Sequence, residues 1–503
     1  MVKRVLYIFA PIHKGEWKKF LSMGAMLFFI LFNYTVLRAV KDSLIVPIIG
    51  AEAIPFVKMY VITPAALSFM LLYTYLSERL DFEKIFYYIA GFFLVFFLAF
   101  AFILYPLNDW LHPKPESIQA LINTKINFGL FILDFDHFKW FFKIYGKWIF
   151  VLYYIVAELW GSSMIFMLYW QFANNITKTE EAKRIYPMCG VIGHIGAGLG
   201  GIVVQYAASQ GAQELYIFGW KFNQFIMTIM LSASFATLGA LSFFIYIKNC
   251  VIGEEHITLS PRKQETLKSK ITLAESLKII ISTRYLWLIV ILIFSYGINI
   301  NIIEGVWKSK LKILYPDVNQ FAYFMGDIMK WTAVCTIVFM ITGAHILRIL
   351  GWLFGAMLTP TMMLITGIGF FAFVVFDDYF YPIVSSFGMN PIFIAVVLGA
   401  IQNILTKGIK YSFFDTTKEM AYIPASADIK SKGKAAIDVV GARWAKSGGA
   451  LIQSLLFIIF PSATYDSIAP YLMIVFILLI VVWFVDIKAL YVAYTRKLAE
   501  HNH

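Results

Sequence analysis

The chain has 503 residues, of which 60% are apolar and only 14% charged, and its net charge is +12. So few polar groups cannot cover a water-soluble protein of this size, which excludes a soluble enzyme or binding module. The positive balance is of the kind that membrane proteins carry on their loops, so it does not call for nucleic acid, and an aromatic content of 18% suits side chains that face lipid and headgroups.

In chain order, the first residues, MVKRVLYIFAPIHKGEWKKF, hold an apolar run too short for a signal-peptide core. They read as a retained cytoplasmic tail, residues 1–19. Runs of about 20 apolar residues, the length that crosses a bilayer, then fall at 20–37, 58–76, 85–105, 148–176, 188–208 and 222–247. After a polar stretch at 248–284 they resume at 285–303, 321–346, 352–376, 391–414, 438–460 and 468–487. The expected fold is therefore all-α integral membrane, with twelve transmembrane helices. An N-terminal six-helix bundle (20–247) and a C-terminal one (285–487) are joined by a cytoplasmic loop (248–284), and a cytoplasmic tail (488–503) follows.

The topology can be tested by counting. With both termini in the cytoplasm, the cytoplasmic segments hold 25 Lys and Arg and the outer segments 11. That is the sense of the positive-inside rule. The halves also echo each other. AVKDSL (39–44) matches VWKSKL (306–311), and small residues recur four apart as Gly193, Ala197, Gly201 and as Gly441, Ala445, Gly449. A midpoint loop and a parallel repeat point to a major-facilitator-like plan.

No G-x-x-x-x-G-K-[ST] loop is present. G-x-G-x-x-G occurs at Gly196, Gly198 and Gly201 but lies inside an apolar span, where small residues serve helix packing. Cys189, Cys250 and Cys335 stand far apart, without disulfide or metal-ligand spacing. Nothing in the sequence calls for catalytic residues, a metal, a cofactor or an obligate protein partner; the lipid bilayer is the one required partner.

The informative residues are charges within or beside the spans, because such groups are costly in a bilayer and usually line a cavity. Arg443 and Lys446 stand three apart on one helix face. Arg38 and Lys41, then Lys308 and Lys310, repeat the theme at the start of each half, where solvated edge charges are the alternative. Lys407 and Lys410 can line the cavity or snorkel, and Lys58 and Lys330, near span ends, read as snorkelling. Glu158, Glu304 and Asp415 are the balancing acids, as gate or structural pairs. A dry cleft rich in cations and poor in acids holds phosphate well. Tyr34, Trp160, Trp307 and Trp444 are aromatic residues near enough to stack on a base. Residue types and spacing thus lead to an anion carrier, with a sugar phosphate as one alternative cargo.

Several strings go further. RAVKDSLIVPIIG, AELWGSSMIFMLYWQFANNITKTEEAKRIYP, NIIEGVWKSKLK, LTKGIKYSFFDTTKEMAYIP and GARWAKSGGALIQS occur in this order along the chain. They resemble the ATP/ADP translocase family of obligate intracellular bacteria and plastids. The resemblance implies a nucleotide antiporter that imports host ATP in exchange for ADP. Related members carry other nucleotides or use proton-driven uptake. It also implies functional charges at Lys41, Glu158, Glu304 and Lys446, nucleotides as partners, and a bacterial inner membrane, since the plastid members' transit peptide is not seen.

Overall fold

The structure, a computed structural model, describes residues 12–128, 132–211, 214–217, 220–252, 278, 282–424, 437 and 442–501. Helices dominate, as they must where no water satisfies backbone amides and carbonyls. The long helices are α1 (Trp17–Ile45), α2 (Ala53–Ser77), α3 (Phe82–Leu104), α4 (Trp148–Ile176), α5 (Thr179–Ser209) and α6 (Gln224–Ile252). In the second half come α7 (Arg284–Leu314), α8 (318–350), α9 (352–375), α10 (Pro391–Ala421), α11 (Ala442–Ile459) and α12 (Tyr465–His501). Eleven helices among the described residues are long and apolar enough to span a bilayer. The expected eleventh span is represented by α11, whose apolar part is Ser447–Ile459. The expected central loop lies mostly outside the described residues, as do most of 1–19 and 425–441.

Helices α8 and α9 belong to one hydrogen-bonded stretch, Val318–Val375, that turns back at Gly351 with φ 79°. That backbone conformation is cheap only for glycine. Asp317 opens α8 by accepting hydrogen bonds from the amides of Asn319 and Gln320, as N-cap acids do. The expected C-terminal tail continues α12 as helix to His501.

Two expected boundaries change. Helix α1 runs to Ile45, and α7 runs to Leu314, each beyond its apolar run. Arg38, Lys41, Lys308 and Lys310, expected in outer loops, therefore stand inside helices. The reason is that these residues pair with acids from other helices, so the helix need not end where its charges begin.

The most buried helices are α1, α4 and α7. A buried tryptophan pins each half. The Trp160 indole of α4 donates to the Ile30 carbonyl of α1 at 3.0 Å, and that of Trp307 on α7 donates to the Val396 carbonyl of α10 at 2.9 Å. The glycines of α5 work in packing. A side-chain carbon at Gly196 would strike the Phe28 carbonyl of α1, and one at Gly201 the Gly326 carbonyl of α8. Helix α5 is thereby wedged between its own half and the other.

The long connection between α3 and α4 covers the end of the molecule away from the chain termini (the far end). It contains helices Pro115–Ile122 and Lys139–Gly146 and the antiparallel strands β1 (Lys125–Asn127) and β2 (Ile132–Asp134). From it His137 reaches the Ile458 carbonyl at 2.6 Å, and the Lys139 ammonium donates to the Pro461 carbonyl. The first half is thus strapped to the second.

Candidate functional site

The charged positions cluster because they share helix faces. On α1, Tyr34, Arg38, Lys41 and Asp42 follow the spacing of one helical stripe. On α7, Asn301, Glu304 and Lys308 do the same, as do Asn403, Lys407 and Tyr411 on α10. All three stripes turn inward and meet, together with Lys58 of α2 and Glu158 of α4.

Within the first half, Lys41 Nζ lies 2.8 Å from Glu158 and 3.4 Å from Asp42, and its ammonium sits 3.8 Å over the Tyr154 ring. Within the second half, Lys407 Nζ lies 2.7 Å from Glu304 and donates to Asn403 Oδ1 at 3.0 Å. The polarity is exchanged between the halves: base on α1 and acid on α4, then acid on α7 and base on α10. Among the described residues of the cluster, three ion pairs join the halves: Lys308 to Asp42 at 2.8 Å, Arg38 to Glu304 at 3.5 Å and Lys58 to Glu304 at 3.6 Å. Lys58 also donates to Asn301 Oδ1 at 2.6 Å.

Among the described residues five bases therefore face three acids: Arg38, Lys41, Lys58, Lys308 and Lys407 against Asp42, Glu158 and Glu304. Taking ions out of water costs several kcal/mol each, and here the acids offset only part of the positive charge. The remainder makes the cluster receptive to an anion. Glu158, with 36% of its side chain exposed, is the acid most open to the space between the halves, whereas Asp42 is closed in at 3%.

The space has one sealed side among the described residues. Helices α2 and α11 touch through Thr63 and Ser447, whose hydroxyls are 2.8 Å apart, and through Ser454 and Tyr60, 3.4 Å apart. Beyond this, toward the end that holds the termini, the stretch Thr63–Ser77 of α2 has no buried residue. A small pocket lined by Lys58, Asn301, Glu304, Lys308, Gln453 and Tyr465 lies on the sealed side.

Of the residues singled out in the sequence, Arg38, Lys41, Glu158, Glu304 and Lys308 are brought together. Lys410 stands one turn further along α10 and is paired with Asp415 at 2.7 Å. Lys310 leaves the cluster for Asp466 at 3.0 Å. Lys330 pairs with Asp327 at 2.6 Å on α8. Arg443 and Lys446 are on α11, but their side chains lie outside the described residues. Lys407, for which lining the cavity and snorkelling were both open, is a cluster member, while Asp42 and Lys58 are members that sequence reasoning missed. Lys58 read as a span-end residue, yet α2 begins at Ala53, which places it a turn deeper. Trp160 and Trp307 cannot stack on a ligand as expected, since both are almost fully buried and hydrogen-bonded to backbone.

The family profile described as TLC ATP/ADP transporter matches residues 2–494. The chain belongs to the TLC ATP/ADP transporter family. It is 42% identical over 508 residues to ADP,ATP carrier protein 3 of Rickettsia bellii (strain RML369-C), covering 98% of each chain. It is 43% identical over 484 residues to ADP,ATP carrier protein 1 of the same strain, covering 95% of this chain and 94% of that one. Among solved structures, a bacterial homologue of the iron transporter ferroportin in the inward-facing state superposes with a TM-score of 0.57 at 12% identity, covering 95% of this chain and 99% of that one. That likeness concerns the fold, which is major-facilitator-like. A TLC family member with this architecture is a multi-pass membrane transporter rather than an enzyme.

Proposed function

We propose that this transporter exchanges ATP for ADP across a bacterial inner membrane by alternating access, with both termini in the cytoplasm. The observation that carries the reading is the surplus of bases in a cluster built from both halves. In the empty state Glu158 holds Lys41 and Glu304 is shared by Lys407, Arg38 and Lys58. An entering polyphosphate competes with these carboxylates, taking Arg38 through paired N–H groups and the lysines as point charges. Arg443 and Lys446, on the helix that touches α2, are the additional phosphate ligands. Once the carboxylates are displaced, the contacts through Glu304 and Asp42 no longer hold the halves in one arrangement, and the halves rock about the cluster. The polarity of the loops supports the orientation, with the far end outward.

Proteoliposomes containing the purified protein test the function. Uptake of labelled ATP should be strongly stimulated by ADP inside the vesicles. Equal uptake into nucleotide-free vesicles would replace exchange with uniport, and no uptake of any nucleotide would remove the reading. Lys446→Glu should abolish exchange while the protein still inserts in the membrane; wild-type exchange in that variant would remove Lys446 from the site.

A further inference from the structure

The ion-pair cluster provides for the phosphates of a nucleotide but offers its base no seat, and a seat for the base presupposes that the cargo is a nucleotide, as proposed for the function. Of the aromatic residues near the cluster, Trp160 and Trp307 are locked into helix contacts. Among the described residues, Tyr34 on α1 and Tyr411 on α10 each stand one turn from the cluster toward the end that holds the termini, and His194 on α5 lies beside Tyr411. Tyr411 is 39% exposed even though it lies between the halves, where its ring meets that of His194 at 5.6 Å and 61°. It stands in a π-helical turn, Lys410–Phe414. Such turns re-aim side chains and recur at functional sites. The Lys410 ammonium lies 4.7 Å from its ring centre and is neutralised by Asp415.

The neighbouring ring is equally well placed. Tyr34 lies flat against Gly161 of α4, where a side-chain carbon would come within 2.8 Å of the ring. The Arg38 guanidinium donates to its hydroxyl at 3.1 Å. Arg38 thus joins the ring group to the cluster, since it also meets Glu304. From Tyr34 to Lys41 the helix rises about 10 Å, so the ring group and the cluster are separated along α1.

We propose that the exposed face of Tyr411, closed at its edge by His194 and flanked by Tyr34, seats the heteroaromatic base of the transported nucleotide, with Arg38 marking the start of the phosphate path. Base and phosphates then occupy separable subsites. Stacking supplies the base subsite with affinity that is tolerant of base identity.

Competition against labelled ATP uptake in proteoliposomes separates the subsites, with unlabelled ATP and inorganic tripolyphosphate as competitors. Both should compete in the wild type. Tyr411→Ala should raise the half-inhibiting concentration of ATP about ten-fold and leave that of tripolyphosphate nearly unchanged, while Tyr411→Phe keeps wild-type values. His194→Ala, which leaves α10 untouched, should show the same selectivity with a smaller shift. The proposal is overturned if both competitors weaken together, if ATP does not weaken, if Tyr411→Phe behaves like Tyr411→Ala, or if tripolyphosphate fails to compete with the wild type. Failure of the wild type to transport ATP would instead strike the functional reading.

Discussion

Glu304 is the most heavily used acid in the cleft, with Lys407, Arg38 and Lys58 all within 3.6 Å. Breaking a buried pair by removing one partner costs about 3–5 kcal/mol, because the other charge stays buried. Glu304→Gln should therefore lower the thermal stability of the purified carrier by an amount in that range. Adding Lys407→Met should recover part of it; a double variant no more stable than the single one would show that Lys407 is neutralised elsewhere. Glu304, Lys41 and Glu158 were legible in the sequence as charges within or beside the spans. The pairing was not legible. Asp42 hides beside Lys41 in AVKDSL, and only the arrival of Lys308 from the other half, 2.8 Å away, gives it a role. Sequence spacing reports which residues share one helix face, whereas this site is made of faces on five helices.

At the scale of elements, apolar runs located the long helices well, but they marked where lipid-compatible sequence stops and not where helix stops. Helices α1 and α7 overran their expected ends because the inter-helix ion pairs lie in the overrun. The sequence marks the connection between α3 and α4 only as the interval between the apolar runs 85–105 and 148–176. Its reach across to α11 depends on the carbonyls of Ile458 and Pro461, which no side-chain pattern encodes. If the far end must open during exchange, this strap must let go. A disulfide formed between Lys139→Cys and Pro461→Cys should stop exchange, and reduction should restore it; undiminished exchange when oxidised would mean that the strap travels with the second half. The same connection holds a titrating group. His112 is buried against the Phe150 ring, 5.1 Å away, and burial pushes its imidazole down to about 4. The unfolded segment then binds a proton near the ordinary histidine value of about 6.5, while the folded one does not. The contribution of His112 is complete above that value and is lost as the pH falls toward 4. Hydrogen exchange around residues 108–122, corrected for its intrinsic pH dependence, should quicken between pH 7 and 5 by roughly the fraction of this shift crossed, and His112→Phe should abolish that response.

For the whole molecule, the contacts between the halves among the described residues include the α5–α8 glycine seam, the α2–α11 contact, the strap from the α3–α4 connection and the charge cluster. The seam is a close glycine contact flanked by hydrogen bonds from Gln205 to Asp327 and from Lys330 to Gln205, and it can act as a pivot, whereas the cluster is the part a ligand can alter, so cargo and reorientation are coupled at one place. The surplus of bases there has an electrical meaning. Reorienting without cargo would carry net positive charge through the field, and a bound polyphosphate offsets that charge. A nucleoside triphosphate bears about one more negative charge than a diphosphate, so each completed swap of one for the other leaves about one elementary charge displaced across the bilayer, worth about 2.3 kcal/mol per 100 mV. In vesicles with a potassium-clamped potential, an interior-positive voltage should accelerate triphosphate entry against internal diphosphate and should leave the homoexchange of triphosphate unaffected at equilibrium. The carrier would then be a current source whose direction is set by voltage as well as by the two nucleotide pools.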